Sequence, residues 1–224
     1  MDFKRLTIVV GHYGSGKTEI SINYAVYIRQ MGKEVEIVDL DVVNPYFRSR
    51  EVRKELLEKW GIKVVGVEEK YANADVPVIS RTVYGALYST EKHAVFDVGG
   101  DDVGAMPLGQ YRHIIYEQDP EVLLVVNVNR PFTKDADSVI KYLKAIEEAS
   151  KIKVTHLVNN THMSYETTVD DVLKGLEVVE EVSRKTGIPI KMVTVKRDLV
   201  NLLPQIDYSV FPLDLYMKTP WDKM

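Results

Sequence analysis

The sequence predicts an α/β fold: a doubly wound, mostly parallel sheet of about seven strands with helices on both faces. Two observations carry that expectation. Short, nearly continuous Val/Ile/Leu runs bounded by turn residues recur along the chain, as parallel strands buried on both faces require. Segments with helical period lie between them, and this alternation is the pattern of a parallel sheet. The 224 residues suffice for one sizeable domain and are short for two, so 1–224 is read as a single unit.

In chain order the strand-like runs are Leu6–Val10, Val35–Val38, Ile62–Val67, Ala94–Val98, Val122–Val126, Val154–Val158 and Ile190–Val195. The first helical segment, Thr18–Met31, carries Ile20, Ile22, Ala25, Val26 and Ile28 and stops at Gly32, a glycine placed just past a helix end. Ser49–Trp60 stops at Gly61 and Thr168–Thr186 at Gly187, while Asp135–Ala149 reads the same way. There is no internal repeat, low-complexity stretch or linker. The tail, 203–224, reads as irregular chain over the surface.

Hydrophobic residues make up 45% of the chain and charged residues 28%, a globular rather than a disordered balance. A net charge of −4 offers no global attraction to nucleic acid or anionic lipid. The absence of cysteine rules out disulfides, thiolate metal sites and a cysteine-held iron–sulfur cluster within this chain. Its five histidines, His12, His93, His113, His156 and His162, lack metal-binding spacing. No run approaches the ~20 apolar residues of a membrane-crossing helix, and the apolar start at Leu6 is too short for a signal-peptide core. The expected location is the cytoplasm.

The sharpest motif is Gly11-His12-Tyr13-Gly14-Ser15-Gly16-Lys17-Thr18, which satisfies G-x-x-x-x-G-K-[ST]. It follows a buried strand and opens an amphipathic helix, the context that distinguishes a phosphate-binding loop from a glycine-rich turn. Glycines let main-chain N–H groups close on phosphate oxygens, and the helix N-terminus adds a favourable dipole. Lys17 is then the cation for the outer phosphates and Thr18 a magnesium ligand.

Acidic groups follow two later strands. In "VEIVDLDVVNPYF", Asp39 ends the second strand and Asp41 and Asn44 lie beyond it. In "AVFDVGGDDVGAMP", Asp97 ends an apolar strand before Gly99, Gly100 and Asp101. Such aspartates often merely cap helices or fill turns. Downstream of a phosphate loop, Asp97 reads as a magnesium-holding carboxylate whose glycine pair moves with the third phosphate. Asp41 reads as the residue that orients an attacking water, and as a further metal contact. Late in the chain, Asn159 (in "LVNN") and Lys196-Arg197-Asp198 end strands at the edge where parallel sheets bind ligands, and can meet a base. Each is also an ordinary turn or helix-start sequence.

Taken together these blocks resemble the MinD/ParA group of deviant-Walker P-loop ATPases, the CobQ/CobB/MinD/ParA nucleotide-binding domains, which include the nitrogenase iron protein. The likeness runs from about Leu6 to Leu203 and rests on Gly11–Thr18, "DLDVVN", "FDVGGDDVGAMP" and "LVNN". It implies a P-loop NTPase fold, ATP and Mg2+ as ligands, Asp41 as the catalytic aspartate and Asp97 as the Walker B aspartate. It further implies Asn159 as the adenine-reading amide, Lys196 to Asp198 as a loop against the base, and a nucleotide-sandwich homodimer. The family's lysine after the first glycine, which reaches a partner's nucleotide, is here His12, a shorter and mostly neutral side chain.

Three functions fit these residues. The leading one is a magnesium-dependent ATPase whose hydrolysis switches its conformation and serves a protein or small-molecule partner. A second is an ATP-dependent small-molecule kinase or ligase, with Tyr71, Asn73 and Arg81 of Glu68–Leu87 meeting the second substrate. A third is a nucleotide-holding module with negligible turnover. The guanine-selective N-K-x-D pattern is absent after the sixth strand, where "NNTH" stands.

Overall fold

The computed structural model describes residues 2–41, 50–66 and 81–217. Its strands are β1 (Leu6–Val10), β2 (Val35–Asp39), β3 (Lys63–Gly66), β4 (His93–Asp97), β5 (Glu121–Val126), β6 (His156–Asn159), β7 (Ile190–Lys196) and β8 (Val210–Leu213). They form one sheet in the order β3-β2-β4-β1-β5-β6-β7-β8, and every pairing is parallel. Helices are α1 (Lys17–Gln30), α2 (Arg50–Glu55), α3 (Arg81–Tyr88), α4 (Asp102–Gly109), α5 (Arg112–Glu117), α6 (Ala136–Ser150) and α7 (Val169–Thr186).

Two-residue alternation divides the core between the faces of the sheet. Leu6, Ile8 and Val10 of β1, with Val122, Leu124 and Val126 of β5, pack in one cluster with residues of α3 to α7. Val9, Leu123 and Val125 point the other way, onto Ile20, Tyr24 and Ile28 of α1 and Val52 of α2. Burying one such aliphatic side chain contributes about 1.5–3 kcal/mol, so a slip of one residue in any central strand would reverse a whole row.

The helix ends follow local chemistry. Asp135 and Thr168 cap α6 and α7, each in a reciprocal capping box. Gly187 ends α7 at φ 75, a conformation open to glycine. The segment read as a helix to Trp60 is α2 continued by a π-helical turn, Leu56–Trp60. One expectation needs correcting. The tail is not irregular throughout, because Val210–Leu213 pairs with β7 as an eighth strand. Phe211 and Leu213 are buried, and Pro212 is tolerated because the strand lies at the sheet edge.

The end of β6 is crowded by α7. A Cβ at Gly175 would sit 2.0 Å from Thr161 Oγ1 and 2.6 Å from Asn159 Oδ1, whereas one at Gly85 of α3 meets nothing within 4 Å. Gly175→Ala should therefore destabilise the protein by about 1–3 kcal/mol. Gly85→Ala should stabilise it by about 0.5–1 kcal/mol. Thermal denaturation of both variants checks this, and equal melting would contradict it.

Candidate functional site

Strand β1 lies between β4 and β5, so the loop that follows it opens where the winding of the sheet reverses, the place where such sheets bind ligands. In residues 11–18 the carbonyls are tied to the protein. That of His12 accepts from the Ser15 N–H (3.0 Å), and that of Gly16 from Ile20 (3.0 Å). Gly14 O accepts from Arg130 Nε (2.9 Å), and Ser15 O from Asn160 Nδ2 (2.7 Å). His12 Nδ1 lies 3.0 Å from the Tyr13 carbonyl. Among the described residues, the N–H groups of Gly14, Gly16, Lys17 and Thr18 donate to no protein acceptor. Gly14 (φ 75) and Gly16 (φ 86) have left-handed backbones that a side chain would strain. The loop thus turns its carbonyls outward and leaves its amides for an anion.

Lys17 is buried at the start of α1. Burial lowers its pKa, and the charges of Asp97, Asp41 and Asp101 oppose that shift. The Thr18 hydroxyl donates to Asp97 Oδ2 (2.7 Å), while Asp97 Oδ1 is buried with no partner. Burial pushes the Asp97 carboxyl up to about 7, against the pull of Lys17 and Thr18. An orphaned carboxylate oxygen beside a hydroxyl is a hard-oxygen donor set that suits Mg2+. Among the described residues no group of three His, Cys, Asp or Glu side chains could hold a metal, so phosphate and water oxygens would complete the shell.

The glycine pair after β4 touches the loop. The Tyr13 N–H donates to the Gly100 carbonyl (3.1 Å), and so does the Tyr142 hydroxyl of α6 (3.2 Å). A Cβ on Gly100 would lie 2.8 Å from Tyr13 N and 3.0 Å from Lys17 Nζ. Asp101 caps α4, accepting from the Gly104 N–H. Asp39 pairs with Arg53 (3.0 Å) and accepts from the Asp41 N–H (3.1 Å). Asn44, Tyr71 and Asn73 lie outside the described residues, and Arg81 begins α3.

Beside Gly16 opens a shallow pocket. Its walls include Asn160, His162, Thr194, Lys196, Leu213 and Leu215. The structure separates the expected base residues. Asn159 is fully buried with its amide donated to Val172 O (2.9 Å) and its oxygen accepting from Thr161 N (3.2 Å). Asn160 lines the pocket instead. Lys196 lines it as well, but Arg197 turns to Asp214 in a two-bond ion pair (2.7 Å each). Asp198 pairs with Lys196 (3.1 Å). Alternation carried the missing signal: Val158 faces α1, so Asn160, two residues on, does too.

Glu19 also escaped the motif reading. Its carboxylate lines the pocket and accepts the N–H groups of Tyr216 (3.0 Å) and Met217 (2.6 Å). One turn on, Asn23 exchanges two hydrogen bonds with the Asp214 main chain (2.8 and 2.9 Å). Burial raises the Glu19 pKa to about 7.

A strand-first loop with free amides, a buried lysine, a hydroxyl and a strand-end carboxylate define a P-loop nucleotide-binding domain. The chain belongs to the CobQ/CobB/MinD/ParA nucleotide-binding domain family, whose model matches residues 6–194. Its fold is similar to that of the cell division protein FtsY from Thermotoga maritima (TM-score 0.57, 23% identity), over 85% of this chain and 61% of that one. It is also similar to the signal recognition particle 54 kDa protein from Aeropyrum pernix in complex with GDP, at TM-score 0.55 and 21% identity. That likeness covers 84% of this chain and 41% of the other. Both solved chains are therefore much longer than the portion this chain spans. No curated protein matches.

Glu19 generates a pH signature in the nucleotide-free protein. With its pKa raised from 4.5 to about 7, the folded state holds a proton that the unfolded state releases. Stability from this group is therefore highest below 4.5 and falls as pH rises towards 7. Glu19→Gln should remove that decline, on the order of 1–2 kcal/mol across the window for a group of partial exposure. Denaturant melts of both proteins from pH 4.5 to 7.5 measure it. Parallel profiles would refute it.

Proposed function

We propose that this protein is a magnesium-dependent ATPase acting as a nucleotide-driven conformational switch. The observation that carries the reading is the hydrogen bond between Tyr13 N–H and the Gly100 carbonyl. The loop after Asp97 rests on a phosphate-loop amide that a third phosphate would compete for. A triphosphate and a diphosphate would therefore favour different positions of Gly99, Gly100 and Asp101.

In this reading the loop Gly11 to Thr18 holds the phosphates, through the free amides of Gly14, Gly16, Lys17 and Thr18 and the Lys17 ammonium. Thr18 and Asp97 hold Mg2+, with Asp41 nearby, and the cation would neutralise charge on the phosphate oxygens. Asp41 orients the attacking water, its charge close enough to act on both Lys17 and Asp97. Asn160 takes over the base-reading role expected of Asn159, with Lys196 beside it. ATP over GTP rests on the family resemblance and on "NNTH" in place of a guanine motif. A single domain, a homodimer and a cytoplasmic setting belong to the same proposal. Among the described residues no helix is long and apolar enough to cross a membrane.

Turnover of ATP with and without Mg2+ tests the reading. Lys17→Ala should abolish detectable hydrolysis. Asp41→Ala should lower kcat by about 100-fold or more while ATP still binds within a few-fold. Full activity in either variant, or tight binding with no turnover in the wild type, would reject it. Competition between ATP and GTP for binding decides the base.

A further inference from the structure

Arg130 stands out among the charged side chains near the site because one of its five side-chain donors is pinned and the other four are idle. It sits in the turn after β5, where its N–H donates to Asn127 O (3.2 Å) and its carbonyl accepts from Thr133 N (3.0 Å). Its Nε donates to the Gly14 carbonyl (2.9 Å). The guanidinium lies close against that glycine: a Cβ there would be 2.9 Å from Nε, 3.1 Å from Cζ and 3.4 Å from Nη2. Among the described residues the Nε bond is its one side-chain hydrogen bond, and its Nη groups have no partner.

The turn that holds it is built firmly. Asn127 is fully buried, donates to Gly14 O (3.4 Å) and His162 O (3.1 Å), and accepts from Asn129 N (3.0 Å) and His162 N (3.3 Å). The Thr133 hydroxyl donates to Asn127 O (2.7 Å). His12, the other basic residue of the loop, is occupied: its ring packs on Phe132 (5.0 Å) and Tyr142 (5.4 Å). Lys17 already answers three carboxylates, those of Asp97, Asp41 and Asp101. A second unpaired cation fixed to the same loop would complement an anion with more charge than Lys17 can balance.

We propose that Arg130 is a nucleotide-contacting residue whose Nη groups bind the terminal phosphate of a nucleoside triphosphate seated in its own loop. The assignment rests on the reading of Gly11–Thr18 as an ATP site. Nε fastens the guanidinium to Gly14, and the fork left over meets oxygens that a diphosphate lacks. Arg130 would thus let the protein distinguish ATP from ADP.

The test is calorimetric titration of Mg2+ with β,γ-imido-ATP, and separately with ADP, into the wild type, Arg130→Gln and Arg130→Lys. Circular dichroism verifies that each is folded. Arg130→Gln should weaken imido-ATP binding by about tenfold or more and leave ADP within about twofold. Arg130→Lys, which keeps the charge without the pinned fork, should fall between. Equal losses for both nucleotides would overturn the proposal by making Arg130 a loop clamp alone, and so would no loss for either. If Arg130→Gln does not fold, the lysine variant decides on the same ratio. A wild type that binds neither nucleotide would instead bring down the ATP-site reading, and this assignment with it.

Discussion

A loop can offer its N–H groups to a ligand only if its carbonyls are satisfied elsewhere, and that constraint organises this molecule. Residues 12–16 meet it with help from distant chain: Arg130 and Asn127 after β5 take Gly14 O, and Asn160 after β6 takes Ser15 O. Those partners are in place because β5 and β6 follow β1 in order across the sheet. An unpaired buried carbonyl would cost about as much as a lost hydrogen bond, so the sheet order and the loop conformation stabilise one another. Asn160 links two roles, since its oxygen also accepts from Thr194 of β7 (2.5 Å).

The electrostatics of the site are those of a place prepared for more charge than it holds. Asp97 is buried against its own preference for ionisation, and Lys17 likewise. Each tempers the cost of the other, and Thr18 bridges to the carboxylate. Bringing anionic phosphates and a divalent cation together would relieve both at once. His162 shows the same crowding on the base side, where burial and the nearby Arg130 lower its pKa to about 4 and keep it neutral.

Much of this was legible in the residues. The first strand was read with its observed ends, and the motif helix began one residue from its observed start, because an apolar run and a glycine-lysine pair leave little freedom. β8 was hidden by Pro212, which argues against a strand unless the position is known to be an edge. That Asn160 rather than Asn159 lines the pocket depended on the facing of a strand only four residues long. Arg130, Glu19 and Tyr142 had no signature at all. Their importance comes from what lies opposite them in space, at sequence separations of 116, 197 and 42, which no local spacing encodes.

The fastening of residues 214–217 onto α1 has a mechanical corollary. Two side chains of the helix that begins at Lys17, Glu19 and Asn23, tie its first turns to the main chain of residues 214–217. A ligand that tugs on the lysine end of that helix would therefore pull on residues 214–217 through those bonds.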